Sequence, residues 1–260
     1  MVVNMSVNNI LQYWNERSIL GFKAGSNDIV LKQLEIEALC KKIKNDGLIL
    51  DAGCGNGVTA IEILKRFHNL RIEAFDFSPE MVIQANNLAF QAGMTNRLNV
   101  REGNLLIPPK YPSEFFDYIY TERSLINLGS WEEQLQAIIS LVKYLKVGGL
   151  FLMCESFYDG LTEINNFRAA AGLTEIQHPW HNRYLSLVNI KKDLPVSMRI
   201  IDVDNFSSTY YFISRVVNAW VASKDGREPN YLDQINELGK FLPKLELCSQ
   251  TKLVVIEKVG

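Results

Sequence analysis

Apolar positions along this chain follow two rhythms that alternate. Short, nearly unbroken apolar runs read as strands covered on both faces: "LIL" at 48–50, "RIEAFDF" at 71–77, "LNVRE" at 98–102, "FFDYIYT" at 115–121 and "LFLMCE" at 150–155. Between them, apolar residues fall at helical spacing, as with Val58, Ile61, Leu64 and Phe67 in "VTAIEILKRF". Ser78 and Pro79 supply an N-cap and a first-turn proline for a helix running to about Gly93. Ser130 and Glu133 predict a capping box opening "WEEQLQAIISLVKYL", which Gly148 and Gly149 would stop.

Strand and helix alternate five times between Gly47 and Glu155. That order predicts an α/β fold, a doubly wound and mostly parallel sheet with helices on both faces. Right-handed crossovers bring the C-terminal strand ends, with Asp51 and Asp76 among them, to one edge where a ligand would lie. "DIVLKQLEIEALCKKI" (28–43) precedes this unit as a helix, and the charges of "EIEALCKKIK" read as its solvated face. The chain closes with "RIIDVDNF", a helix-like "SSTYYFISRVVNAWVA" and a last strand, "TKLVVIEKV".

Composition narrows the class. Of 260 residues, 47% are hydrophobic and 22% charged, which is ordinary for a globular protein, and the net charge of −2 argues against a general nucleic-acid binder. No 18-residue apolar run predicts a membrane span, and "MVVNMSVNNI" lacks the pattern of a secretory signal. Cys40, Cys54, Cys154 and Cys248 lack metal or disulfide-framework spacing and read as buried thiols of a reducing, cytoplasmic compartment.

Candidate chemistry begins at "LDAGCGNGVTA" (50–60). Glycines between a strand and a helix let a ligand approach the backbone, with free N–H groups at the helix start. The spacing is G-x-G-x-G rather than the dinucleotide G-x-G-x-x-G. Asp51 places a carboxylate where a pyrophosphate would be repelled and a cationic amino group welcomed. Asp76 can accept hydrogen bonds from both ribose hydroxyls. Asn104 in "EGNL" can take an adenine amino group on its carbonyl oxygen, or it can be a turn residue beside Gly103.

"ILDAGCGNG", "FDFSPEM", "EGN", "FDYIYTERSLINL" and "LKVGGLFLMCE" together resemble class I S-adenosylmethionine-dependent methyltransferases over Leu48–Glu155. "KLVVIEKV" is similar to the antiparallel seventh strand of that fold. "YWNERSILGFKAGSND", "ERSLINL", "PWHN" and "FSSTYYFISRVVNA" resemble a bacterial subgroup associated with surface-polysaccharide or sugar modification. The resemblance implies a single seven-stranded, Rossmann-like domain over 1–260. Within it, 1–46 would form a helical cap or lid and 47–155 the cofactor-binding core. Residues 156–260 would hold substrate-side insertions, after strands five and six, plus the last two strands. It further implies that Gly53, Gly55, Asn56 and Gly57 lie against the methionyl group, with Asp51 near its amino group. Phe77 and Met81 would cover the adenine, Asn104 and Leu105 would line its far edge, and Thr121 or Glu122 would flank the sulfonium.

An alcohol acceptor needs a base near the strand ends. His181 in "PWHNRY" is the first candidate, with Trp180 as a wall and His178 nearby; the segment can also be an ordinary anchored loop. Glu155, ending the fifth strand, is a second base or a hydroxyl ligand, or the partner of an arginine. Arg123 either pairs with Glu122 or binds an anionic group such as phosphate. Tyr13, Trp14 and Arg17 before "GFKAGSND" suit a lid or a helix pinned by aromatics. Glu155, His178 and His181 lack a metal-ligand signature, so no metal is expected.

The expected function is O-methylation of a sugar or a sugar-derived, nucleotide- or phosphate-linked metabolite, with S-adenosyl-L-methionine as cofactor. The alternatives are N-methylation of an amino sugar or small amine, and non-catalytic cofactor binding. The expected partner is a small-molecule acceptor, with no nucleic acid or membrane, and a homodimer is left open.

Overall fold

The computed structural model describes residues 7–260. The first six residues, which include most of the segment read for a secretory signal and the start of the cap, lie outside the described residues.

Seven strands form one sheet: β1 (Gly47–Ala52), β2 (Leu70–Asp76), β3 (Leu98–Glu102), β4 (Phe116–Glu122), β5 (Leu145–Ser156), β6 (Met198–Asp204) and β7 (Thr251–Lys258). Their order is β3-β2-β1-β4-β5-β7-β6, with β7 antiparallel to both its neighbours and the β1–β5 pairings parallel. The order reverses between β1 and β4, so the crevice beyond their carboxyl ends is where such sheets take ligands.

Each central strand is apolar on both faces because helices cover both. Ile49, Ile72, Tyr120, Leu152 and Val255 pack into one core with α2 (Ile29–Cys40), α3 (Val58–Arg66) and α4 (Pro79–Gln91), which follow α1 (Val7–Arg17). Leu50, Phe75, Ile119, Phe151 and Val254 pack into the other with α5 (Trp131–Val142). The side-chain period of two thus sends neighbouring residues to opposite cores. After β5 come α6 (Tyr158–Ala170) and α7 (Leu187–Asp193), and after β6 three end-to-end helical pieces, Ser208–Tyr211, Phe212–Val217 and Asn218–Lys224. Tyr210 and Tyr211 are buried there.

Four expectations are corrected. The fifth helix ends at Val142, and Gly148 and Gly149 lie inside β5 instead of stopping it. The β4–β5 register shifts between Phe116 and Tyr118, and Gly148, at φ 78°, sits in that irregular stretch. Glu35 is fully buried, not solvated, because Arg123 Nε meets it at 2.8 Å. Cys40 and Cys54 are only partly buried, whereas Cys154 and Cys248 are fully enclosed; all four are free thiols. Ser130 accepts from the Glu133 N–H as a cap should, but Glu133 reaches back to the Gly129 N–H. No helix among the described residues is long and apolar enough to cross a membrane.

Candidate functional site

The carboxyl ends of β1–β4 open on a cavity of about 430 Å³, within the range of small-molecule sites. Its floor is the glycine turn. Gly53 has φ 84°, and a Cβ there would lie 2.4 Å from the Ser124 Cβ, so only glycine lets this turn pass beneath the β4 loop. Gly55 is also left-handed at φ 54°, yet a Cβ would meet nothing within 4 Å. Its bare face therefore borders open space. The Gly53 and Cys54 N–H groups donate to Phe75 O at 2.9 and 3.0 Å, tying the turn to the end of β2.

Asp76 closes one end of the cavity, the end expected to take a nucleoside. Its carboxylate accepts from the Gly55 N–H at 2.7 Å and the Ser78 N–H at 2.9 Å, while Ser78 Oγ caps α4 through the Met81 N–H. Burial pushes its pKa up against those backbone bonds. Phe77, Met81 and Leu105 line the same end. Asn104 lines it too, but its Oδ1 accepts from the Leu106 N–H at 2.8 Å, so the oxygen expected to face adenine holds a turn. Asn56 lines the wall and donates to Gly21 O at 2.6 Å, stitching the glycine turn to the N-terminal cap.

Glu122 lies in the cavity wall at the end of β4, held by Lys32 Nζ at 2.7 Å and by the Thr59 hydroxyl. Burial would raise its pKa, but the Lys32 and Arg123 charges outweigh that and hold it at about 2. Asp51 sits behind the wall, 1% exposed, with Tyr120 OH donating to one oxygen and the other unpartnered. Burial pushes its pKa well above the usual carboxylate range. Thr121 is fully buried and stands outside the wall.

The opposite end is made of side chains from distant segments. Tyr13 and Trp14 on α1 reach over the cavity, and Trp14 Nε1 donates to Asn127 Oδ1 at 3.2 Å. Asn127 Nδ2 donates onward to Arg123 O at 2.9 Å, and Ser78 Oγ donates to Asn15 Oδ1 at 2.6 Å. The α1 helix is thus pinned to both the β4 loop and the start of α4. His181, 6% exposed, packs its ring 4.2 Å from Tyr13 and 5.3 Å from Trp180. Burial, aided by the Arg17 charge, pushes its pKa down to about 4, so the imidazole is neutral at physiological pH. The Arg183 N–H bonds Ile126 O at 2.6 Å and fixes this loop against the β4 turn.

Other candidates stand elsewhere. Glu155 is fully buried and outside the wall; its Oε1 accepts from the Ser124 and Leu125 N–H groups at 3.1 and 3.0 Å, with no arginine partner. Burial, opposed by those backbone bonds, lifts its pKa to about 7. It shapes the β4 loop from beneath and does not face the cavity. His178 is exposed on the outer surface against Tyr158 and Tyr184. Trp180 lies outside the wall and backs Tyr13 and His181. Arg17 lines the cavity but donates to Ala24 O and Lys23 O, both at 2.6 Å. Arg123 pairs with Glu35, not Glu122, and donates to Gly25 O at 2.9 Å. Among the described residues no group of three or more His, Cys, Asp or Glu is placed to hold a metal. Lys32, Asn127 and Asn182 line the cavity without having been singled out. Asn127 and Asn182 fall inside the quoted "ERSLINL" and "PWHN" segments, but nothing in the residues themselves gave either a role.

Residues 49–149 match the family described as "Methyltransferase domain". The chain is 32% identical over 117 residues to mouse (Mus musculus) EEF1A lysine methyltransferase 2, across 43% of this chain and 47% of that protein. It spans about half the length of the curated relatives it matches. Among solved structures, the [4+2]-cyclase SpnF superposes with a TM-score of 0.58 at 18% identity, over 91% of this chain and 83% of that one. Geranyl diphosphate C-methyltransferase from Streptomyces coelicolor A3(2), solved with Mg2+, geranyl diphosphate and S-adenosyl-L-homocysteine, gives 0.55 at 14%, over 89% and 80%. These likenesses establish the Rossmann-like methyltransferase fold. A cyclase among them shows that this fold does not fix the reaction.

Proposed function

We propose that the chain is an S-adenosylmethionine-dependent methyltransferase acting on a small polar acceptor, foremost a hydroxyl of a sugar or sugar-derived metabolite. One observation carries the reading. The open glycine turn lies beside the carboxylates of Asp76 and Glu122, and Lys32, the cation at Glu122, is bound to it at 2.7 Å. Such a floor attracts the sulfonium and ammonium of S-adenosylmethionine and repels a dinucleotide pyrophosphate. The match over residues 49–149 supports the same cofactor.

When bound, S-adenosylmethionine supplies a methyl group on a good leaving group. The protein's residues hold, align and dry the site. Asp76 exchanges or shares its Gly55 contact to receive the ribose hydroxyls, and Phe77 and Met81 pack on the base. Lys32 keeps Glu122 ionised beside the glycine turn. The pinned α1 helix, with Tyr13 and Trp14, excludes water from the acceptor end. His181, uncharged at pH 7, receives the acceptor's proton as the methyl group moves. Its low basicity favours a second reading, N-methylation of a neutral amine, which needs no strong base.

Incubation with methyl-labelled S-adenosylmethionine and a set of neutral glycosides, amino sugars and small amines tests the proposal. Label transfer with stoichiometric S-adenosylhomocysteine is the expected result. Binding of the cofactor with no transfer to any acceptor class would favour the non-catalytic alternative.

A further inference from the structure

The acceptor end holds hydrogen-bonding groups that the protein leaves unmatched. His181 Nδ1 and Asn182 Oδ1 are both buried and without a hydrogen-bond partner. They belong to consecutive residues of one loop, both in the cavity wall, and the loop is fixed by the Asn182 N–H bond to Pro179 O and the Arg183 N–H bond to Ile126 O. Unmatched buried polar atoms cost free energy, and a ligand that supplies the missing hydrogens recovers it.

Charge in the same wall is already committed. Among the described residues lining the cavity, Lys32 is neutralised by Glu122 and Arg123 by Glu35. Arg17 has no carboxylate partner, but its Nε and Nη2 hold Ala24 O and Lys23 O and its guanidinium lies 5.7 Å from the centre of the Tyr13 ring. An anion could recruit it only by releasing the 23–24 turn. Glu122 is neutralised in the same pair, and Glu133, also in the wall, accepts from the Gly129 N–H. A phosphate or carboxylate on the acceptor would meet no free fork of donors.

We infer that the acceptor is uncharged, and that His181 and Asn182 form the subsite that reads its hydroxyl or amine hydrogens. This rests on the methyltransferase reading of the cavity and narrows it. Nucleotide-linked and phosphorylated sugars are refused, and neutral glycosides or amines are taken. Asn182 is the specificity-determining member: its carboxamide can accept from one hydroxyl and donate to another, as neighbouring groups on a sugar ring require. The flanking rings of Tyr13 and Trp14 supply the flat apolar surface on which such a ring rests.

The test uses the S-adenosylhomocysteine-loaded protein, titrated in parallel with methyl glycosides and amino sugars and with the matching sugar 1-phosphates. Tryptophan fluorescence, from Trp14 and Trp180 beside His181, reports occupancy. Neutral ligands are expected to bind and the phosphates not. Asn182→Ala should weaken the neutral ligands about tenfold with unchanged S-adenosylhomocysteine affinity and thermal midpoint. Asn182→Arg should admit the sugar phosphates. Tighter binding of phosphates by the parent, no binding of any neutral ligand, or full affinity in Asn182→Ala would each overturn the inference. Failure of S-adenosylhomocysteine itself to bind would instead remove the cofactor reading beneath it.

Discussion

The two ends of the cavity are built from different materials. At the nucleoside end the contacts are made by backbone: a glycine turn, the ends of β1 and β2, and N–H groups held by Asp76. At the acceptor end they are made by side chains brought from α1, the β4 loop and the 179–183 loop, segments far apart in the sequence. Backbone geometry is fixed by a few residue types at fixed offsets, so the first end can serve one ligand across many proteins. Side-chain walls change with single substitutions, so the second end carries what is particular to this chain.

Breaking the backbone end should cost most. Gly53→Ala forces a Cβ against Ser124 at a left-handed residue and should destabilise the protein by about 3 kcal/mol while abolishing nucleoside binding. Thermal unfolding and calorimetry measure both. Glu155, beneath the loop that joins the two ends, comes next. Its folded pKa of about 7 lies above the ordinary value of 4.5 for a glutamate, so its protonated form is the one folding favours. Its contribution is greatest below pH 4.5 and is lost as pH rises to 7, a swing of roughly 3 kcal/mol. Glu155→Gln carries no such charge, so its stability relative to the parent should climb across that window and level off above it. Denaturant titrations at pH 4.5, 6 and 8 would show this, and a constant difference would remove the assignment.

Asp76→Ala should weaken cofactor binding by about 2 kcal/mol through loss of charged hydrogen bonds, with acceptor affinity unaltered. The mildest change is Trp14→Phe, which removes only the indole bond to Asn127. About 1 kcal/mol of local stability should go, seen as faster hydrogen exchange in α1 with cofactor affinity kept. Equal losses at both ends in either variant would erase the distinction between them.

The same contrast governs what the sequence disclosed. Strand runs, the G-x-G-x-G turn, Asp76 and the Ser78 cap are local patterns, and each stands where its pattern placed it. The glycine pair at 148–149 misled because a bulge inside a strand and a helix stop use the same residues for the same left-handed freedom. Glu35 read as a surface residue because its partner, Arg123, lies 88 positions away and no helical period reveals it. Glu155 read as a base because its strand end faces the ligand edge; its burial beneath the β4 loop depends on packing that only the fold defines. Asn182 stands in the quoted "PWHN" segment, but His181 beside it carries the stronger signal, since a loop asparagine has many ordinary uses.

Titration calorimetry of the protein with S-adenosylmethionine, S-adenosylhomocysteine and NAD in parallel tests the central claim most directly. Saturable binding of the first two, lost in Asp76→Ala, with no heat from NAD, is the result this account predicts. Binding of NAD without the sulfonium cofactor would contradict it, and the carboxylate floor would then need another explanation.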